Sequence, residues 1–244
     1  MNNEVISRVV PPPPRWLRPL GWIALLGFVA AQAIGFLISA PDRDMGNLQK
    51  IMYVHVPSAW VAMLGFFVVF VLSIAFLVTR REDHDRRAAA TAEVSVLFTA
   101  LTLVLGSIWG RPTWGIWWTW DPRLTSTAIM LLIYVGYLAL RAFTEDEDRR
   151  ARWSAAVGIL GFLNVPIVYF SVKWWRTLHQ VQTIDAAGAI DSAYALALLL
   201  NSIAFLLVFV WLVALRAHVA RLERLRESWI EDEALVRTGS EAHV

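Results

Sequence analysis

Ser58-Ala59-Trp60-Val61-Ala62-Met63-Leu64-Gly65-Phe66-Phe67-Val68-Val69-Phe70-Val71-Leu72-Ser73-Ile74-Ala75-Phe76-Leu77-Val78-Thr79 runs for 22 residues without a charge. As a helix rising 1.5 Å per residue it reaches roughly 33 Å, enough to cross a hydrocarbon layer of about 30 Å. Outward from it lie five more such runs, at about 20–40, 89–109, 124–143, 153–173 and 192–215. The expected fold is therefore an all-α integral membrane protein, a six-transmembrane-helix bundle. Residues 1–19 form a proline-rich lead-in, 20–215 the helical domain and 216–244 a polar tail. With 244 residues, 57% hydrophobic and 17% charged, spread over six spans and short loops, no soluble domain has room to fold.

The loops carry the charge. Of the 22 Lys and Arg, sixteen fall in the N-terminal segment, the loops Arg80 to Arg87 and Arg141 to Arg152, and the tail from Arg216. The other three loops hold two each, and this asymmetry predicts both termini in the cytoplasm. The net charge of +2 comes from these orienting arginines and makes no case for nucleic acid. Cysteine is absent, which excludes disulfides, thiol catalysis and a Cys-x-x-Cys-His haem attachment within this chain. No Gly-rich phosphate loop occurs, so the chain has no ATP site of its own. The run Pro11-Pro12-Pro13-Pro14 cannot be helical and should be extended.

Functional residues cluster on the three outer loops. Trp114-Gly115-Ile116-Trp117-Trp118-Thr119-Trp120-Asp121-Pro122-Arg123-Leu124-Thr125-Ser126 puts four tryptophans within seven residues of the loop 110–126. Tryptophan gathers where a membrane meets water, yet four exceed what anchoring needs and offer a platform for a planar ring. His55, expected just before the second span, and His179, just after the fifth, lie on the same side and form a pair able to ligate one metal from opposite sides. Neutral imidazole is a usual axial ligand of haem iron. His84, His218 and His243 fall on the cytoplasmic side among charges, where a solvated role is expected. Arg123 and Arg111 are candidates for propionates, because a guanidinium offers a planar fork to a carboxylate; an outer-headgroup anchor is the other reading of Arg111. Asp121 would repel a propionate, so it is expected to orient Arg123 or to cap the fourth span.

Polar residues inside the spans are expected to be structural. Asn164 and Asn201 lie at similar depth and should pair with each other across the helices. Pro166 should bend span five. Glu93, near the inner end of span three, should reach headgroups or a basic loop. The arginine-rich segment from Arg216 should continue as a helix along the anionic inner leaflet.

Three segments together resemble the CcmC family, haem-handling membrane proteins of bacterial cytochrome c maturation. They are His55-Val56-Pro57-Ser58-Ala59-Trp60, the tryptophan-rich loop Trp114 to Ser126, and Pro166 to Gln180. Six spans with only two outer histidines separate this family from larger haem handlers such as CcmF, which share the loop. Pro122 is a departure, since some members carry a small residue there. The resemblance implies an inner-membrane protein whose His55 and His179 ligate the iron of a transiently bound haem b. Trp114, Trp117, Trp118 and Trp120 would hold the porphyrin. It further implies delivery to the periplasmic haem chaperone CcmE and partnership with the ABC transporter subunits CcmA and CcmB and the small membrane protein CcmD. The role expected is a delivery component rather than a stand-alone enzyme. A b-type cytochrome subunit is the rival, but it would generally want haems at both depths. A haem-carrying permease would want a polar passage or a coupling element for an ATPase, and the spans supply neither.

Overall fold

The computed structural model describes residues 11–179 and 192–241, and every regular element among them is helical. Helix α1 spans Leu17–Ala33 and runs into a π turn at Ile34–Ile38. A 3-10 turn, Asn47–Ile51, leads into α2, Met52–Thr79. Then follow α3 (Glu82–Trp114), α4 (Pro122–Phe143), α5 (Glu147–Phe162), α6 (Asn164–Trp174) and α7 (Ser192–Glu241). With α5 and α6 counted together, six helical spans are long and apolar enough to cross a membrane.

Several helices outrun their apolar stretches. Helix α3 begins at Glu82 rather than near residue 89, because Glu82, Asp83 and Asp85 in its first turn complement the helix dipole. Arg86 and Arg87 then close ion pairs back to Asp83. Helix α2 begins at Met52, so His55 sits in its first helical turn and not in the preceding loop as expected. His84 likewise lies in the first turn of α3, where its Nδ1 meets the Thr79 hydroxyl at 3.0 Å. His218 lies on α7, and His243 falls outside the described residues.

Helices α2 and α3 form the longest interface, and small residues let them approach closely. A side chain at Gly65 would collide with the Ser95 hydroxyl and the Phe209 ring. Along α3 the hydroxyls of Thr91, Ser95, Thr99 and Thr102 each return a hydrogen bond to the carbonyl four residues back, which satisfies them in an apolar setting. On the other flank Phe66 stacks on Tyr134 with centroids 3.8 Å apart. At the end carrying Arg80 and Arg81, Arg141 of α4 grips Asp85 of α3 with two bonds of 2.6 and 2.8 Å. This fork geometry fixes the two helices in register.

The two intramembrane asparagines do not pair with each other. Asn164 donates to the Ser126 carbonyl at 2.8 Å, whereas Asn201 accepts from Gln32 and donates to the Ala31 and Ala197 carbonyls. A position along the helix does not fix which way a residue faces around it. Pro166 does interrupt span five: its missing N–H is the one that would bond Phe162, and the chain steps at Leu163 between α5 and α6. Glu93 accepts from Arg216 of α7 at 2.5 Å, so its basic partner is a helix and not a loop. Helix α7 continues past residue 215 as expected, and Arg224 pairs with Glu147 of α5.

Candidate haem site

The described parts of the three loops expected on the outer face converge around a cavity of about 1320 Å³. That exceeds the ~300–1,000 Å³ of ordinary small-molecule pockets. Its wall includes His55, His179, Trp114 and Arg123, which come from four separate places in the chain.

His55 enters from α2, a rigid support. Gly106 of α3 faces its ring, and a Cβ there would lie only 3.1 Å from the imidazole Cε1. The Nδ1 atom is buried without a close hydrogen-bond partner, with the Thr102 backbone as the polar group beside it. His179 enters from the short segment after α6. Both histidines line the same cavity.

Trp114 ends α3 and stands between Trp109 and His179. Its ring meets Trp109 edge-on at 5.3 Å and His179 at 6.4 Å. Gly115, at φ +80°, stops the helix in a left-handed conformation that only glycine adopts cheaply, and so turns the chain into the tryptophan loop. Residues 115–122 of that loop stay outside the cavity wall. Trp118 and Trp120 pack edge-to-face at 5.8 Å, while Trp117 and Trp120 are exposed by 59% and 77%. Arg111 also lies outside, with its guanidinium on the Gly115 carbonyl, where it closes the turn.

Arg123, in the first turn of α4, lines the cavity and forms no ion pair within 4.0 Å among the described residues. A half-buried cation of this kind is ready for an anionic group. Asp121 both caps α4 and does more than the sequence suggested. One oxygen accepts the Arg123 N–H at 2.9 Å; the other accepts the Thr177 hydroxyl at 2.5 Å and the Leu178 N–H at 2.8 Å. Burial pushes this carboxyl upward, but the bonds from Thr177, Leu178 and Arg123 outweigh it and hold the group below the usual carboxylate range.

Sequence reasoning missed part of the wall. Trp60, Trp109, Tyr169 and Tyr194 line it, and so do Met45, Met52, Met63 and Met130. The chain has five methionines, and every one after Met1 lines this space. That distribution was a readable signal, since flexible, polarizable thioethers make adaptable binding surfaces. The loop carrying Met45 is shaped by Asp42, whose carboxylate accepts the Asp44 and Met45 N–H groups at 2.9 Å.

The donor set suits a flat, anionic, iron-bearing ring: two imidazoles for the metal, indole and thioether surface for the macrocycle, and a guanidinium for carboxylates. Comparison with known proteins agrees. Residues 7–231 match the family described as CcmC, Heme exporter protein C. The chain is 41% identical over 211 residues to Heme exporter protein C of Bradyrhizobium diazoefficiens, covering 84% of this chain and 80% of that one. It is 34% identical over 233 residues to the protein of the same name in Escherichia coli K12, covering 92% and 95%. A ccmC-like mitochondrial protein of cytochrome c biosynthesis in Marchantia polymorpha is 38% identical over 169 residues, covering 68% and 71%. Six helices able to span a membrane, in a chain with these relatives, make it a multi-pass protein of the bacterial inner membrane. By the match along nearly its whole length, the chain belongs to the CcmC family, the heme exporter C proteins.

Proposed function

We propose that the cavity opens at the periplasmic face, binds haem b there through His55 and His179, and releases it to the haem chaperone CcmE. Family membership carries haem handling in cytochrome c maturation, in company with other Ccm components. The finer reading is supported most by one observation: both outer histidines line a single cavity together with Trp114 and Arg123. Trp114 supplies aromatic surface within the cavity, and Arg123 meets the propionates. Exposed Trp117 and Trp120, with half-buried Trp118, form the rim beside it, and Arg111 serves by holding the turn that presents Trp114. With no cysteine in the chain the haem is held without thioether bonds, as transient cargo needs. CcmA, CcmB and CcmD are the companions in this reading, and the lipid bilayer is the solvent. Of the histidines expected on the cytoplasmic side, His84 is engaged by the Thr79 hydroxyl and His218 lies on α7, so no second paired site is proposed among the described residues.

The test is substitution of the histidines. His55→Ala or His179→Ala should change the spectrum of bound haem and impair chaperone loading, while His84→Ala and His218→Ala should leave both intact. Unchanged spectra and unchanged loading in both outer variants would end the ligand assignment.

A further inference from the structure

We propose that Asp121 is the positioning residue of this site, holding the segment that bears His179 and the helix that bears Arg123 in fixed relation through its two carboxylate oxygens. The proposal rests on the reading of His179 as an iron ligand. Asp121 is 6% exposed and lies between the tryptophan loop and α4. Its Oδ1 takes the Arg123 N–H, the ordinary bond of a helix cap. Its Oδ2 reaches a segment more than fifty residues away in the chain, taking the Thr177 hydroxyl and the Leu178 N–H. The Thr177 oxygen in turn accepts the His179 N–H at 3.0 Å. The backbone of His179 is thus tied to the carboxylate through a single hydroxyl, while its ring contacts Trp114.

The chemistry needs a carboxylate. Asparagine and serine cap a helix about as well as aspartate, so a cap alone would not require one. An amide offers only one accepting oxygen, and it can serve either the cap or the distant segment but not both. Charge-assisted bonds of this length are also stronger than neutral ones. Without the clamp, the segment bearing His179 loses two hydrogen bonds that help fix its distance to Arg123 and Trp114.

The test uses the full-length membrane protein, purified in detergent and loaded with haemin. Its readouts are the coordination state of the bound iron and haemin affinity. Asp121→Asn and Thr177→Val should each convert part of the six-coordinate population to a five-coordinate one, as His179→Ala does. Affinity should fall roughly tenfold or more. Added imidazole should restore the six-coordinate spectrum, and Thr177→Ser, which keeps the hydroxyl, should be normal throughout. Wild-type coordination in both Asp121→Asn and Thr177→Val, with His179→Ala altered, overturns the positioning role and leaves the ligand reading standing. A normal spectrum in His179→Ala itself overturns the ligand reading, and this proposal with it. Where Asp121→Asn fails to accumulate, Thr177→Val decides: lower haemin content with an unaltered spectrum and no response to imidazole marks a merely structural contact and also overturns the proposal.

Discussion

Gly106 is the most direct lever on the His55 ring. A Cβ at that position lies 3.1 Å from the imidazole Cε1 and 3.7 Å from Nδ1. Ordinary contacts of a Cβ begin at about 3.4 Å, so Gly106→Ala makes the ring give by a few tenths of an ångström. Productive site geometry tolerates about 0.5 Å, and a shift of this size takes up most of that margin. The same change removes a glycine from the interior of a 33-residue helix, which favours folding by about 1 kcal/mol. Stability and binding are therefore expected to move in opposite directions. The protein should insert and accumulate normally, while steric strain of ~1–3 kcal/mol falls on the histidine. Expressed as haem affinity this is a loss of roughly 5- to 150-fold. Gly106→Val, with two more methyl groups, should lose nearly all specific haem binding. Haem per molecule of membrane-inserted protein, read beside thermal stability in detergent, measures both effects. Wild-type haem occupancy in the valine variant would refute the placement of His55 against Gly106, or its role as a ligand.

Three other outcomes are expected. Asp85→Ala strands the Arg141 guanidinium, whose side chain is only 16% exposed; it should cost ~3–5 kcal/mol in unfolding experiments, most of it recovered by an apolar pair at both positions. Reporters fused after Arg86 and Arg150 should read cytoplasmic, and those after Asp44 and Ala186 periplasmic; the opposite pattern would turn the proposed haem face to the wrong compartment. Trp114→Leu should lower haem content per inserted molecule more than Trp120→Leu does, because Trp114 lines the cavity and Trp120 is 77% exposed; equal losses would return the whole loop to a single platform.

Hydropathy made the six spans legible, because a charge-free run of membrane length has few other solutions. It could not set the helix ends. Those depend on polar residues such as Glu82 and Asp83, which extend α3 through dipole and ion-pair contacts that hydropathy counts as loop. His55 was legible as a residue of the site but not as a helical one. The tryptophan loop was legible as a surface, yet only Trp114 of its four tryptophans lines the cavity, because the left-handed turn at Gly115 carries the others outward. The partners of Asn164 and Asn201 were beyond reach for the same reason as the second partner of Asp121. Periodicity reports depth and face along one helix, whereas a bond between residues 121 and 177 depends on how two distant segments meet.

The two proposed ligands differ in how they are held, and the difference bears on transport. His55 is part of a 28-residue helix packed along α3, so its backbone cannot move without disturbing the bundle. His179 follows the end of α6 on a segment tied by hydrogen bonds to one carboxylate, each worth about 1.5–3 kcal/mol. A carrier that must keep haem and then surrender it needs one ligand that stays and one that yields at modest cost. Two helix-borne histidines would bind more firmly but raise the barrier to release. On the proposed reading, in which both rings meet the iron and haem passes to the chaperone, His179 should detach first. A variant lacking His179 should then bind haem more loosely and exchange it faster, whereas one lacking His55 should lose the fixed side of the site and retain little haem. Equal retention and equal exchange in the two variants would remove this asymmetry and the order of release that follows from it.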